Sequence, residues 1–499
     1  MKTNELYHLK RLSGVTSLLI ITAILISTWA SGCDQNSKQT IAFTHVNLIP
    51  MTSETVITDQ TVLVKGSEIV AIGASNNLKT PWGAQVIDGK SAYLMPGLAD
   101  MHAHTRISTA QWAQSWEDPK IWPVHPLKLY LANGVTTIRD LNADEEPGSY
   151  PLQLRDEIQE GTRVGPTIYT SGEKLNASPL GDPAGLVRKN REKGYDLIKI
   201  YPYLSVADFQ SAMREAKRLG IYTTGHIPYS VGLEGVLAEG MDEIAHVVEL
   251  VWEFFEFDRG SQLSPQEWEP YLFQAVLQNI DLSLDTPLAE FKIKNQSTLE
   301  NLANQLRTAG VSVCTTVDIA ETDRMKLFQP EAFLARPENK FLDPKYLDAF
   351  RRGEEYQQVI SRGWEKVFAL EYDFVTWILT GLHEAHVQLL LGTDALGGIG
   401  IVPGYSVHDE LRLLVENGFT PYEALLAGTV NAATVVEKMT GEGNFGTIEV
   451  GNRADLILVR VNPLEDISVI HEPLGVMAAG RWYSAEQLST IIEIPGSTE

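Results

Sequence analysis

The stretch "YLMPGLADMHAH", residues 93–104, runs from apolar residues through Pro-Gly to two histidines one residue apart. Its length and composition predict a buried strand. Alternate residues of a strand project to the same side, so His102 and His104 share a face and can share one metal ion. The chain has only eleven histidines, and placing two of them at one strand end calls for a chemical reason. Seven further apolar segments follow, each preceded by a helical pattern: "GVTTIRDL", "GPTIYTSG", "DLIKIYPY", "IYTTGHI", "DEIAHVV", "GVSVCTT" and "VQLLLGTDA". Eight strands alternating with helices predict an α/β chain folded as a (β/α)8 TIM-like barrel. An open doubly wound sheet is disfavoured, because no glycine-rich phosphate turn follows a strand.

Active sites of such barrels lie at the carboxyl ends of the strands. His226 ends "IYTTGHI", His246 ends "DEIAHVV" and Asp394 ends "LLLGTDA", so three more metal-ligand types join His102 and His104 at that edge. Imidazole and carboxylate suit Zn2+ or a similar divalent ion, which makes a bound water acidic enough to attack a carbonyl. Lys199 in "DLIKIYPY" occupies the same layer, and a lysine facing a barrel interior must be neutral, paired or modified. His45, His125, His383, His386, His408 and His471 lack the strand-end context and read as surface or packed residues.

The order His-x-His, Lys, His, His, Asp resembles the amidohydrolase superfamily. The segments "PGLADMHAH", "IKIY", "GHIP", "GTDALGG", "VHDELRLLVENGFTPYEALLAGTVNAA" and "GTIEVGNRADLILV" resemble its imidazolonepropionase-like and prolidase-like branch, over about Thr40 to Tyr483. That resemblance implies a binuclear centre held by His102, His104, Lys199, His226, His246 and Asp394, with Lys199 carbamylated by CO2. Two divalent ions are implied, Zn2+ first, with Mn2+ or Fe2+ as alternatives. Catalytic roles fall on Asp394 as proton shuttle, and on His226 and Tyr201 as donors to the developing oxyanion. The expected reaction is hydrolysis of a carbon–nitrogen bond in a small amide, dipeptide or cyclic amide, through a metal-activated hydroxide. An ester, lactone or phosphotriester on the same centre is the alternative, as is a non-catalytic metal- or ligand-binding lipoprotein. Ala245 stands before His246 where relatives often carry Glu.

Two β-rich segments, residues 40–92 and 440–484, flank a barrel expected over 93–439, and together they predict one composite β-sandwich made by both ends of the chain. Stretches at about 252–300 and 318–365 exceed ordinary barrel loops and read as helical insertions over the mouth. At the N-terminus, Lys2, Lys10 and Arg11 precede an apolar run from Leu12 to Ala30, then Ser31-Gly32-Cys33. This is the layout of an export signal, residues 1–33, and its end resembles a bacterial lipobox with Cys33 as the acylated residue. Export to the cell envelope with a lipid anchor is expected, and an uncleaved membrane anchor is the alternative. With 40 basic against 64 acidic residues, a net charge of −24 argues against nucleic acid as a partner. A small-molecule substrate and a homo-oligomeric state complete the expectations.

Overall fold

The computed structural model describes residues 39–108, 113–115, 122–141, 150–284, 286–395 and 400–494; the expected export signal and Cys33 lie outside the described residues. The fold is mixed α/β. Parallel ladders join Leu98–Ala103 to Val135–Asp140 and Val135–Asp140 to Thr167–Thr170. A second parallel series runs Leu197–Tyr203, Tyr222–Gly225, Glu243–Ile244, Ser312–Cys314 and Leu389–Leu390. Isolated parallel bridges, Ser171 with Leu197 and Ala103 with Ala395, link the two groups. These are the eight segments expected from sequence.

The opening stretch divides into two strands. Tyr93–Pro96 pairs antiparallel with Leu456–Val459, whereas Leu98–Ala103 starts the parallel series. Gly97 lies at the junction, where an added Cβ would collide with the Thr136 side chain. The pairing of Tyr93–Pro96 with Leu456–Val459 brings both ends of the chain into one eight-stranded sheet. Its order is Arg481–Ser484, Gly475–Ala478, Leu456–Val459, Tyr93–Pro96, Thr40–Leu48, Ile57–Lys65 and Glu68–Ala74, with Gln85–Asp88 also paired to Thr40–Leu48. Phe43, Leu94, Leu456 and Met477 share one buried apolar cluster, so neither terminal segment has a core of its own.

Helices between the parallel strands begin and end where local chemistry dictates. Ser205 caps Val206–Leu219 by accepting from Asp208 N, and Gly220 in the left-handed region closes it. Thr420 and Glu423 form a capping box ahead of Pro421–Ala427. The long stretches noted in the sequence contain Pro265–Asn279 in one and Val317–Phe328, Pro330–Leu334, Pro344–Arg351 and Gln357–Ser361 in the other. The helix Pro287–Ala309 leads directly into the strand Ser312–Cys314. Among the described residues no helix is long and apolar enough to cross a membrane. Cys314 is a buried free thiol.

A polar layer crosses the middle of the parallel strands. Arg139 and Glu243, both fully buried, form a bidentate pair, with Nη1 donating to Oε2 at 2.7 Å and Nη2 to Oε1. Arg139 Nε also donates to the Met101 carbonyl at 2.8 Å. Tyr222 Oη and Thr224 Oγ1 donate to the same Glu243 carboxylate at 3.0 and 2.9 Å. Met101 precedes His102, Thr224 lies two residues before His226, and Glu243 three before His246. The layer therefore ties together the strands that present the histidines.

Candidate metal centre

The six strand-end residues converge. His104 Nε2 lies 2.6 Å and His102 Nε2 3.4 Å from Asp394 Oδ1. Lys199 Nζ is 3.4 Å from His102 Nε2. The His102 ring is centred 4.4 Å from that of His246, which is 5.0 Å from that of His226. Tyr201, two residues beyond Lys199 on the same strand, holds its ring 4.9 Å from His226. All six sites predicted for metal and the tyrosine predicted for catalysis thus occupy one cluster.

Backbone features explain the convergence. Asp394 has φ of 51°, a left-handed conformation that aspartate tolerates better than most residues, and its N–H donates to the His102 carbonyl at 2.7 Å. The strand end is thereby turned toward the histidine pair. Gly225, with φ of 151°, lies against the Ile200 carbonyl where any Cβ would clash, and it delivers His226 to the same edge.

Hydrogen-bond partners fix which imidazole nitrogens face inward. His102 Nδ1 lies 3.0 Å from the Ala245 carbonyl, which can only accept, so Nδ1 carries the proton and Nε2 is left bare. His226 Nδ1 donates to Glu249 Oε1 at 2.6 Å. His246 Nδ1 is 3.0 Å from Thr316 Oγ1. Burial, reinforced by Lys199, His246 and His104, pushes His102 well below the ordinary imidazole range and keeps it neutral. His246 is also pushed well down by burial, with Asp394 opposing and His226 and Lys199 adding. Burial raises Asp394, but His104, His246 and Lys199 outweigh it and hold the carboxyl below its usual value.

Buried His102 and His246, held neutral, beside the Asp394 carboxylate form a metal-binding donor set. The ligand atoms of His102, His104 and Asp394 lie within 4.8 Å of one another. His104 Nδ1 is buried with no hydrogen-bond partner among the described residues, an unsatisfied nitrogen at the same place. The residues present therefore fit a divalent ion.

Glu249 was not legible as a site residue. It follows His246 by three positions in a 3-10 helix, Val247–Phe254, and reaches His226 on the neighbouring strand. Only the fold reveals that partnership. Around the mouth, the ring of Tyr229 lies 6.0 Å from Tyr203, 5.1 Å from Trp268 and 6.5 Å from Trp252. Elsewhere, His383 stacks on Phe419 at 3.8 Å, His408 lies 4.9 Å from His471, and His45 pairs with Asp59.

Residues 377–483 match the amidohydrolase family. Ochratoxinase of Aspergillus niger is 26% identical over 357 residues, 69% of this chain, and the chain spans 64% of that relative's length. Among solved structures, A. niger ochratoxinase superposes with a TM-score of 0.59 at 19% identity, covering 89% of this chain and 96% of that one. A Xaa-Pro dipeptidase gives 0.60 at 19% identity, covering 89% and 100%. Bottromycin amidohydrolase gives 0.62 at 21% identity, covering 91% and 88%. The fold is one these proteins share, and the segment that matches the amidohydrolase family, residues 377–483, contributes Asp394 to the cluster.

Proposed function

We propose that this chain is an exported, metal-dependent amidohydrolase that cleaves the carbon–nitrogen bond of a small amide, a dipeptide or a cyclic amide. The carrying observation is the convergence of His102, His104 and Asp394 with Lys199, His226 and His246 in one buried layer. Similarity to ochratoxinase, a Xaa-Pro dipeptidase and bottromycin amidohydrolase supports the reaction class. In this reading the eight parallel strands close as a (β/α)8 barrel, and the mixed sheet of both chain ends folds over as a β-sandwich. The N-terminal segment, with Cys33 lipidated, tethers the enzyme to the envelope membrane.

His102, His104 and Asp394 would hold one ion and His226 and His246 a second, with Lys199 shared between them as a carbamate. When bound, two divalent ions, Zn2+ or else Mn2+ or Fe2+, would supply Lewis acidity toward a water and toward the scissile carbonyl. Asp394 accepts a proton from the attacking water as the new carbon–oxygen bond forms. It returns that proton to the nitrogen as the carbon–nitrogen bond breaks, releasing an amine and a carboxylic acid whose hydroxyl keeps the water's second hydrogen. Tyr201, beside His226, donates a hydrogen bond to the carbonyl oxygen as negative charge develops there. The group of Tyr203, Tyr229, Trp252 and Trp268 forms an apolar wall suited to an aromatic or cyclic substituent of the substrate.

Lys199 is suited to carbamylation. Burial lowers its amine from the usual lysine value to about 8, with Asp394 and Glu249 opposing. More of the amine is then neutral at pH 7 than in an exposed lysine, and the neutral form is the one that attacks CO2. Lys199→Met should bind fewer ions per chain by metal analysis, and an unchanged metal content would contradict the carbamate. Glu249→Gln should weaken metal binding by about 10- to 100-fold in competition with a chromogenic chelator, because the carboxylate that orients His226 is gone. Unaltered affinity would place Glu249 outside the centre.

The direct test of function is a hydrolysis screen with the metal-loaded protein. Aminoacyl-prolines, N-acyl amino acids and cyclic amides should be cleaved, and chelation should abolish turnover until Zn or Mn is restored. Turnover confined to esters, lactones or phosphotriesters would overturn the carbon–nitrogen assignment. Metal binding with no turnover of any of them would identify a binding protein.

A further inference from the structure

One end of the mixed sheet exposes apolar residues beside the first described strand. The register places Gln85 next to Ile41, Thr40 next to Lys65 and Lys65 next to Glu68, so these residues form a row across that end. Adjacent strands lie about 4.8 Å apart, which makes the row roughly 15 Å wide. Trp82, three residues before Gln85, is fully solvent-exposed at 103%. Val86 is 54% exposed beside it. At the other side of the row, Val70 and Val450 are 39% and 60% exposed, held together by the Gly451 N–H donating to the Ile69 carbonyl. Two pairs of large exposed apolar side chains therefore flank the row, Trp82 and Val86 on one side and Val70 and Val450 on the other. A fully exposed tryptophan in a turn contributes nothing to the core, and its position calls for an external partner.

The covalent chain points to that partner. Thr40 stands in the middle of the row, and the apolar run Leu12–Ala30 ends ten residues before it. Ten extended residues reach at most about 35 Å, and the seven from Cys33 to Thr40 about 25 Å. Any bilayer that holds the N-terminal segment is within that distance of Thr40, in the middle of the row that Trp82 flanks. Tryptophan favours the headgroup level of a membrane, where its ring is half desolvated and its N–H stays hydrated. Lys65 and Lys79 are close by, but Glu68, Glu449 and the net charge of −24 oppose an anionic surface. The strands Thr40–Leu48, Gln85–Asp88 and Tyr93–Pro96 run parallel away from this end, the last leading to Leu98 of the parallel series.

The geometry points to a membrane-docking surface, made by Trp82 and Val86 with Val70 and Val450, that seats this end of the sheet on a zwitterionic bilayer beside the N-terminal tether. The inference rests on the tether proposed above, and the two can fail separately. Full-length protein carrying Trp29→Phe, which removes the tryptophan of the N-terminal apolar run, is the parent; it is mixed with phosphatidylcholine vesicles carrying brominated acyl chains, and both sedimentation and tryptophan quenching are read. The chain should sediment with the vesicles and be quenched. Trp82→Phe should sediment equally but lose most of the quenching, and Val450→Trp added to it should restore quenching. Sedimentation with equal quenching in this parent and in the parent with Trp82→Phe added overturns the docking surface and spares the tether. No sedimentation overturns both. A change of oligomeric state on Trp82→Phe without vesicles shows that a second copy of the chain covers the surface, and also overturns it.

Discussion

Asp394→Asn is expected to lower kcat/KM by about 10³-fold or more while leaving the protein folded. The magnitude follows from two duties on one carboxylate, taking a proton from water and giving it to the leaving nitrogen. An amide side chain can do neither. The fold should survive because the residue has φ of 51°, and asparagine is one of the few residues that adopts this conformation at little cost. Alanine would be the poorer choice, since backbone strain would be added to the loss of the carboxylate. Kinetics on any substrate found in the screen, with bound metal measured in parallel, check the outcome. A variant that keeps its metal and more than about a tenth of the wild-type rate would remove Asp394 from proton transfer.

The largest stability effect is expected below the site. Arg139→Met leaves the Glu243 carboxyl fully buried without its cationic partner, with only Tyr222 and Thr224 as donors. Removing one member of a buried pair costs about 3–5 kcal/mol. Adding Glu243→Gln removes the stranded carboxyl, its amide oxygen accepting from one hydroxyl and its NH2 donating to the other, so the double variant should recover about 2 kcal/mol or more. Denaturant unfolding of the two single variants and the double variant measures this. Additive losses would show that the two side chains do not act as a pair.

Much of this architecture was legible because the parallel strands are buried on both faces. Such strands read as unbroken apolar runs, and "YLMPGLADMHAH", "DLIKIYPY" and "VQLLLGTDA" stand out against polar helices. The six ligand candidates were visible for the same reason: a histidine, lysine or aspartate ending an apolar run is conspicuous. What escaped notice depends on contacts between distant segments. Pro96-Gly97 is a turn signal, yet only the pairing of Tyr93–Pro96 with Leu456–Val459 shows that the chain changes sheets there. Arg139 was read as part of "GVTTIRDL" without its partner, since Glu243 is 104 residues away. Glu249 gave no signal, because its neighbour His246 is not the histidine it binds. The stretch 318–365 was read as helical from composition, but its division into short helices reflects packing and the prolines at 330, 337 and 344.

The central claim is that six side chains from five strands encircle two ions. Anomalous diffraction at the zinc edge from crystals of the metal-loaded protein tests it most directly. Two peaks are expected, one among His102, His104 and Asp394 and one among His226 and His246, with electron density for a carboxylated Lys199 between them. Zinc found only elsewhere on the protein, or no zinc after loading, would contradict it.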